Sequence, residues 1–151
     1  MYTEQLTQAL SAFDSILPSN AAAGTVNSGG IDLQKFRRAI YWIEVGAMTA
    51  SSTFNAQLQS CAQANFASGV HNFTNGAITQ IANTTPNCIV SIETTDEALQ
   101  NDFPGDRYVR LQCVIGTAAV NFSAIGLGGE ANHKPASSQN PNTVVQQVVV
   151  T

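Results

Sequence analysis

The segment from Ile31 to Gly46 constrains the fold of this chain more than any other. It contains the only tryptophan and the densest run of large apolar side chains, and from Phe36 to Val45 it is rich in aromatic and β-branched residues. Such a run, ending in glycine, predicts a β-strand. Large residues occupy both odd and even positions, which is typical of a central strand covered on both faces. We expect one face to meet the domain's core, and the other to meet a second layer, a terminal arm or a neighbouring subunit.

Short strand-like segments separated by turn residues follow along the chain. They cover residues 53–60, 77–82, 88–94, 107–115 and 120–127. The first of these alternates apolar with polar side chains, so its polar face is rich in glutamine. About seven or eight short strands, without repeats or alternating helices, predict an all-β fold, either an antiparallel β-sandwich or a jelly-roll-like barrel.

The N-terminal residues 1–30 are predicted to form an extended arm rather than part of the core. Within residues 1–17, apolar side chains at helical spacing predict a short amphipathic helix, namely Leu6, Leu10, Phe13 and Ile16. Pro18 ends this helix. A helix of this length needs a surface to lie on, which either this domain or a partner supplies.

Residues 31–151 are expected to form a single β-sandwich domain, with an extension over residues 130–151. The extension ends in the β-branched run Thr143–Thr151, which predicts a C-terminal strand. An unpaired strand favours aggregation unless it joins a sheet edge. The edge belongs either to this chain or to a neighbour.

The surface of the protein carries few charges. Charged residues make up 11% of the chain and the formal net charge is −4, whereas an average soluble domain is about 25% charged. Proteins of large assemblies often have such neutral, hydrogen-bonding surfaces, and a secreted or tail-exposed β domain is the alternative. Phosphate binding needs clustered cations, so we expect no nucleic-acid partner.

The lack of a recognisable targeting signal and the cysteine content predict a soluble protein made in a cytosol. The first ten residues lack the apolar core of a signal peptide, and no apolar run reaches membrane-spanning length. The odd number of cysteines, without paired spacing, argues against a disulfide scaffold. We expect Cys61, Cys88 and Cys113 to be buried thiols, and we expect no membrane partner.

Catalytic and metal-binding motifs do not stand out. His71 and His133 fall in predicted loops without a nucleophile motif or a second metal ligand nearby. The acidic residues between Asp96 and Asp106 lack the ligand spacing of an EF-hand, and no helix pattern follows the glycine-rich segment Gly126–Gly129. We therefore expect no enzymatic activity, no cofactor and no metal.

Four arginines and one tyrosine lie near the starts of predicted strands, where we expect them to have structural rather than catalytic roles. If the two clearest strands are neighbours, Arg37, Arg38, Arg107 and Arg110 form one charged patch with nearby acids. Such a patch makes either solvated pairs within the subunit or contacts between subunits. Tyr108, at the start of a strand, is predicted to form the tyrosine corner of a sandwich fold.

The run Gly30–Met48 resembles a family of small structural proteins of tailed phages and prophages. The other matching landmarks occur in the family's order and extend the resemblance over residues 25–136: Gly76–Ile81, Gly105–Arg110, Gly116–Ala119, Leu127–Gly129 and Pro135–Ala136. The resemblance implies a capsid decoration or cement protein, which is a β-sandwich, often trimeric, that clamps capsomers from outside.

We therefore expect a virion structural protein, made in the host cytoplasm, that binds the major capsid protein at capsomer junctions on the capsid exterior. It would act as a homotrimer or another small homo-oligomer. A head–tail connector, neck or tail component is a structural alternative, distinguished by its copy number. A carbohydrate-binding sandwich is a further alternative, and would expose Trp42, Tyr41 or Tyr108 on a concave face. The expected interface residues are Leu6, Leu10, Phe13, Arg37, Arg38, Trp42, Arg107, Arg110, Val144 and Val148.

Overall fold

The computed structural model describes residues 5–148, which are almost entirely strands and turns. The strands are β1 (Leu10–Ala21), β2 (Gly24–Asn27), β3 (Ile31–Asp32), β4 (Phe36–Met48), β5 (Thr53–Cys61), β6 (His71–Ala77), β7 (Ile81–Ala82), β8 (Cys88–Thr95), β9 (Tyr108–Gly116) and β10 (Val120–Ala131). The helices are α1 (Leu6–Ala9), α2 (Asp96–Asp102) and a short 3-10 helix (Ala136–Gln139).

The strands form two antiparallel sheets packed face to face. Sheet A has the order β1-β10-β4-β8, and sheet B has the order β2-β9-β5-β6, with β3 also pairing with β9 and β7 with β5. Every strand pairing within residues 5–148 is antiparallel, and the buried side chains of both sheets form one apolar core. The prediction of an all-β antiparallel sandwich is confirmed.

Strand β4 is an interior strand of sheet A, between β10 and β8, as its apolar content predicted. Its inward residues are buried, but Trp42 on the opposite face is 45% exposed. Phe36 also faces the core, because the alternation is interrupted at the two exposed arginines that follow it. Within residues 5–148 the second face of β4 is therefore open to solvent.

A buried tyrosine joins the two sheets across the core. The Tyr41 hydroxyl on β4 accepts a hydrogen bond from Ser28 Oγ at 3.2 Å and donates one to the carbonyl of Val109 on β9 at 3.4 Å. Burial, together with the negative charge of Asp14, raises the pKa of Tyr41 above its usual range. The hydroxyl is therefore neutral and serves as a fixed link between the layers.

The N-terminal prediction was wrong in two respects. The helix ends at Ala9, and Leu10–Ala21 pairs with β10 as an edge strand of sheet A, while β2 pairs with β9 in sheet B. Residues 10–27 thus belong to the sandwich rather than to an arm. The strand satisfies the backbone through ladder hydrogen bonds and also buries Ile16, so tertiary contacts override the helical spacing. Residues 1–4 lie outside the described part.

The C-terminal strand predicted over Thr143–Thr151 is not formed across residues 143–148, which have no strand pairing. Ala136 of the preceding 3-10 helix is buried in the core, so the chain is anchored up to that point. Beyond it, Val145 is 93% exposed. Residues 149–151, which complete the predicted strand, lie outside the described part.

Candidate interaction surfaces

The outer side of sheet A presents several large apolar side chains, interspersed with Glu44 and Ser123, which we call the apolar face. On the two interior strands, Ile125 of β10 lies opposite Trp42 of β4, and Leu127 lies opposite Ile40. The members of the apolar face are Leu17, Ile40, Trp42, Ile89, Ile125 and Leu127. Leu17 is 74% exposed and Ile89 63% exposed. Several exposed large apolar side chains on one sheet face make this a candidate surface for protein contact.

Two shallow grooves lie on the apolar face. The first, of about 260 Å³, is lined by Leu17 and its neighbours on β1, by Ile125 on β10 and by Trp42 on β4. The second, of about 270 Å³, lies between Leu17 and the C-terminal segment at Thr143–Val144. The tail therefore borders this face without covering it.

Ion pairs flank the apolar face at the end of sheet A where β4 begins. Arg38 Nε lies 2.9 Å from a carboxylate oxygen of Glu130, and Arg38 Nη1 lies 3.9 Å from Glu93. All three side chains are more than half exposed. Exposed pairs of this kind contribute little to stability, so they are free to exchange partners when another surface docks.

The outer side of sheet B is different, because it carries a row of amide side chains, most of them bonded to one another. We call this set the amide ladder: Asn55, Gln57 and Gln59 on β5, Asn72 on β6, and Gln112 on β9, which is followed at one end by Arg110. Gln57 Nε2 donates to Gln112 Oε1 at 2.7 Å and to Asn72 Oδ1 at 3.3 Å. Gln59 Nε2 donates to the same Asn72 oxygen at 2.9 Å. These bonds fix amides that would otherwise rotate freely.

A cleft of about 330 Å³ opens at one end of the amide ladder. It is lined by Asn55, Ala56, Gln57, Ala77, Ile78, Gln112 and Val114, none of which is ionisable. The cleft combines two mutually bonded glutamine amides and Asn55 with a small apolar floor, which is the composition of a site for a neutral polar ligand.

A buried carboxylate joins three segments near the opposite end of sheet B. Asp106 Oδ2 accepts a hydrogen bond from Ser60 Oγ at 2.6 Å and lies 2.9 Å from His71 Nδ1. The imidazole ring stacks on Phe103 at 4.8 Å. Serine and histidine both bond to the same carboxylate oxygen, and among residues 5–148 no hydrogen bond joins the serine hydroxyl to the imidazole, which is the contact that a nucleophilic triad uses. The cluster of Ser60, His71 and Asp106 links three segments of the chain, and we call it the Asp106 clasp.

The sequence did not reveal this clasp. The sequence predicts a loop at His71, whereas this residue begins β6, and its carboxylate partner lies 35 positions away in the sequence. No local motif could have signalled the contact.

Among residues 5–148, no group of three or more metal-ligating side chains is placed to hold a metal ion. In the same range, no helix has the length and apolarity that a membrane crossing requires.

The predicted patch of four arginines is not formed, because β4 lies in sheet A and β9 in sheet B. Arg107 instead makes a bidentate ion pair with the buried Asp32. Its Nε lies 2.7 Å from Asp32 Oδ1 and its Nη2 lies 2.5 Å from Oδ2. Arg110 lies over the Phe66 ring at 4.4 Å and donates to Gln59 at 2.9 Å. Arg37 is exposed on β4. The four side chains therefore serve separate contacts.

The Asp32–Arg107 pair changes the acidity of the carboxyl group. Burial by itself would raise the pKa of Asp32, but the hydrogen bonds from Arg107 and the Gln34 N–H, with the charges of Arg107 and Lys35, hold it below its usual range. Asp32 is therefore ionised in the folded protein at neutral pH. The pair ties β3 to the start of β9.

The remaining predicted interface residues are scattered. Leu6 is 76% exposed on α1, and Val148 is 73% exposed on the tail. Leu10 is half-buried beside Gly129, Val144 is half-buried, and Phe13 packs edge-on against Phe36 at 5.1 Å. Of the predicted interface residues, only Trp42 belongs to the apolar face.

Sequence reasoning missed Leu17, Ile89 and Ile125 as surface residues. The alternation along β10 contained a signal for Ile125, because buried residues at even positions from Val120 place it on the other side. Leu17 carried no such signal, since it lies in a segment that was predicted as helix. Ile89 lies in a short run of apolar residues whose two faces cannot be told apart by periodicity.

Comparisons with known proteins do not identify a family for this chain. No protein-family model matches the sequence, and no curated protein matches it. The fold is similar to part of a chain in a solved structure described as "Structure of infectious bursal disease virus Gx strain", with a TM-score of 0.41 and 12% identity. The match covers 86% of this chain and 32% of the other. This chain thus spans about a third of that chain's length, and the likeness is too distant to carry an argument about function.

Proposed function

We propose that this chain is a non-enzymatic structural protein of a virion, which binds a shell of major capsid protein from outside and stabilises it as a capsid decoration or cement protein. The observation that carries this proposal is the apolar face of sheet A, which no segment among residues 5–148 covers. The sequence resemblance of Gly30–Met48 to small tailed-phage head proteins supports the choice of a capsid as the partner.

The apolar face has the features of a contact surface. Trp42 and Ile125 lie opposite each other on interior strands, where the backbone is paired and rigid. Tryptophan anchors are frequent among the residues that dominate binding energy. The exposed ion pairs of Arg38 form a polar rim beside the apolar centre, as in other protein interfaces.

The low charge and the free tail support an assembled state. A chain with 11% charged residues and a net charge of −4 sets up little repulsion between copies. The β-branched tail over residues 143–148, mostly exposed, has no strand partner among residues 5–148. We propose that small homo-oligomers, such as trimers, bind at capsomer junctions and that the tail adds to a neighbour's sheet edge.

Co-sedimentation with expanded shells of the corresponding virus, titrated to saturation, tests the proposal. Saturation in proportion to the number of capsomers is the expected result. Saturation at a few copies per shell would instead assign the protein to a connector, neck or tail position. Absence of binding would overturn the capsid role.

A pair of matched substitutions tests the surface. Ile125→Thr on β10 and Val114→Thr on β9 each change a β-branched side chain on an interior strand, 42% and 37% exposed respectively. We expect Ile125→Thr to weaken shell binding about tenfold or more and Val114→Thr to leave it unchanged. Equal effects of the two substitutions would show that the apolar face is not the contact.

A further inference from the structure

We propose that the cleft on the outer side of sheet B is a binding site for a neutral saccharide, held by the side-chain amides of Gln57, Gln112 and Asn55. This inference goes beyond the proposed capsid role, since it concerns the opposite sheet. It also differs from a lectin site built on the three aromatic residues singled out in the sequence, because Tyr41 is buried, Trp42 lies on sheet A and Tyr108 lies outside the cleft.

The two glutamine amides that line the cleft, those of Gln57 and Gln112, are bonded to each other and still have hydrogen-bonding capacity. Gln112 uses its oxygen to accept from Gln57 Nε2, and Asn72 accepts from the same nitrogen. Among the residues that the structure describes, no hydrogen bond engages Gln112 Nε2, Gln57 Oε1 or the Asn55 side chain. Gln112 Nε2 and Gln57 Oε1 are therefore presented at the cleft as an oriented donor and acceptor, beside the unbonded Asn55 amide.

This arrangement matches the chemistry of a sugar. Each hydroxyl both donates and accepts, so neighbouring hydroxyls on a ring pair with an amide NH2 and an amide oxygen placed side by side. The apolar C–H face of the ring would lie on Ile78, Ala77 and Val114, of which Val114 is 37% exposed. The cleft volume of about 330 Å³ is at the small end of ligand sites, which suits a single sugar unit.

Other ligand classes fit less well. A charged ligand would find no ionisable side chain in the lining, and an apolar ligand would leave the amides without the hydrogen bonds that water gives them. An extended peptide binds by adding to a sheet edge. The cleft instead lies over β5, an interior strand whose backbone is paired with β9 and β6 on its two sides.

Affinity at one such site is expected to be weak, on the order of millimolar, because the cleft is open and contains no aromatic ring. Display of many copies on one particle would raise the effective strength of attachment by multivalency. The saccharide site would thus gain most from the assembled state that we propose above, but its existence does not depend on that state.

The test is an NMR titration of the isotopically labelled chain with the methyl glycosides of glucose, galactose, mannose and N-acetylglucosamine. We expect saturable shifts of the Gln57 and Gln112 side-chain NH2 signals and the Val114 methyl signals with at least one of them. Gln112→Leu should weaken that binding about tenfold or more. Gln146→Leu, an exposed tail residue, is the matched control and should have no effect.

Three results would overturn the inference: no saturable shift with any of the four glycosides, equal binding by Gln112→Leu, or equally strong shifts of the same signals with the charged sugar N-acetylneuraminic acid. Asn55→Ala provides a second variant, should Gln112→Leu disturb the sheet. Ile125→Thr should leave the titration unchanged, so that failure of the capsid proposal and failure of this one are distinguishable.

Discussion

Gly126 on β10 lies directly opposite Tyr41 on β4, and the tyrosine ring covers the glycine. A β-carbon at Gly126 would lie 2.7 Å from Tyr41 Cε1, closer than packed atoms approach. Two residues further along β10, a β-carbon at Gly128 would lie 2.6 Å from the Phe36 ring. The two glycines thus create the space in which the largest core aromatics of sheet A lie flat against a neighbouring strand.

Substitution of either glycine by alanine should destabilise the fold. Gly126→Ala forces the Tyr41 ring out of its position and strains its link to sheet B, and we expect a loss of about 1–3 kcal/mol in the free energy of unfolding. Urea unfolding followed by circular dichroism measures it. Gly46→Ala on β4 is the control, because its nearest contact would be an ordinary 3.5 Å to the Asn121 carbonyl. A change as large at Gly46 would contradict this explanation.

The Asp32–Arg107 pair predicts how stability changes with pH. The folded-state pKa of Asp32 is below its unfolded value, so the ionised carboxyl stabilises the fold above the ordinary pKa of 3.8. This contribution is lost as the pH falls through the folded-state value. Asp32→Asn should therefore lower the urea midpoint at neutral pH, and the difference from the wild type should shrink in strong acid. A difference independent of pH would show that the charge is not responsible.

The Asp106 clasp predicts a loss of stability when its carboxylate is removed. Asp106→Ala leaves the fully buried Ser60 hydroxyl without its acceptor and should lower the free energy of unfolding by about 1–3 kcal/mol. Asp102→Ala, an exposed acid at the end of α2, should be neutral or slightly stabilising, because an acid is unfavourable at a helix C-terminus. Thermal unfolding of both variants decides between a buried clasp and a surface charge effect.

The three cysteines should differ in reactivity towards iodoacetamide. Cys61 and Cys113 are buried, whereas Cys88 is half-buried at the start of edge strand β8. Burial raises the pKa of the Cys113 thiol to about 12, so little reactive thiolate forms at neutral pH. We expect Cys88 to be alkylated first in the native protein and all three thiols in denaturant, as counted by mass spectrometry. In Cys88→Ser the native protein should react far more slowly, and rapid labelling of that variant would contradict the assignment.

The sandwich could be predicted from the sequence because most of its strands keep a period of two or form long apolar runs. The first strand could not. Strand β1 contains irregularities between Ala12 and Asp14 and between Ile16 and Ser19, and such bulges break the alternation that identifies a strand. The remaining inward residues then fall at helical spacing by coincidence. Pro18, interpreted as a helix end, is tolerated because β1 is an edge strand.

The candidate surfaces were predictable only in part. The polar face of residues 53–60 was recognisable from alternation, so Gln57 and Gln59 could be placed on one side of a strand. Their partners Gln112 and Asn72 depend on which strands lie beside β5, which no local pattern specifies. The same limit explains why the predicted arginine patch was wrong. The patch required β4 and β9 to be neighbours, but these strands belong to opposite sheets.

The pleat of β4 separates Tyr41 from Trp42, so that the phenol is buried in the core and the single indole of the chain lies on the apolar face. The intrinsic tryptophan fluorescence of this protein is therefore a signal from its outer surface rather than from its interior. A shift of that emission to shorter wavelength on mixing with a partner will report dehydration of the apolar face directly, without an attached dye.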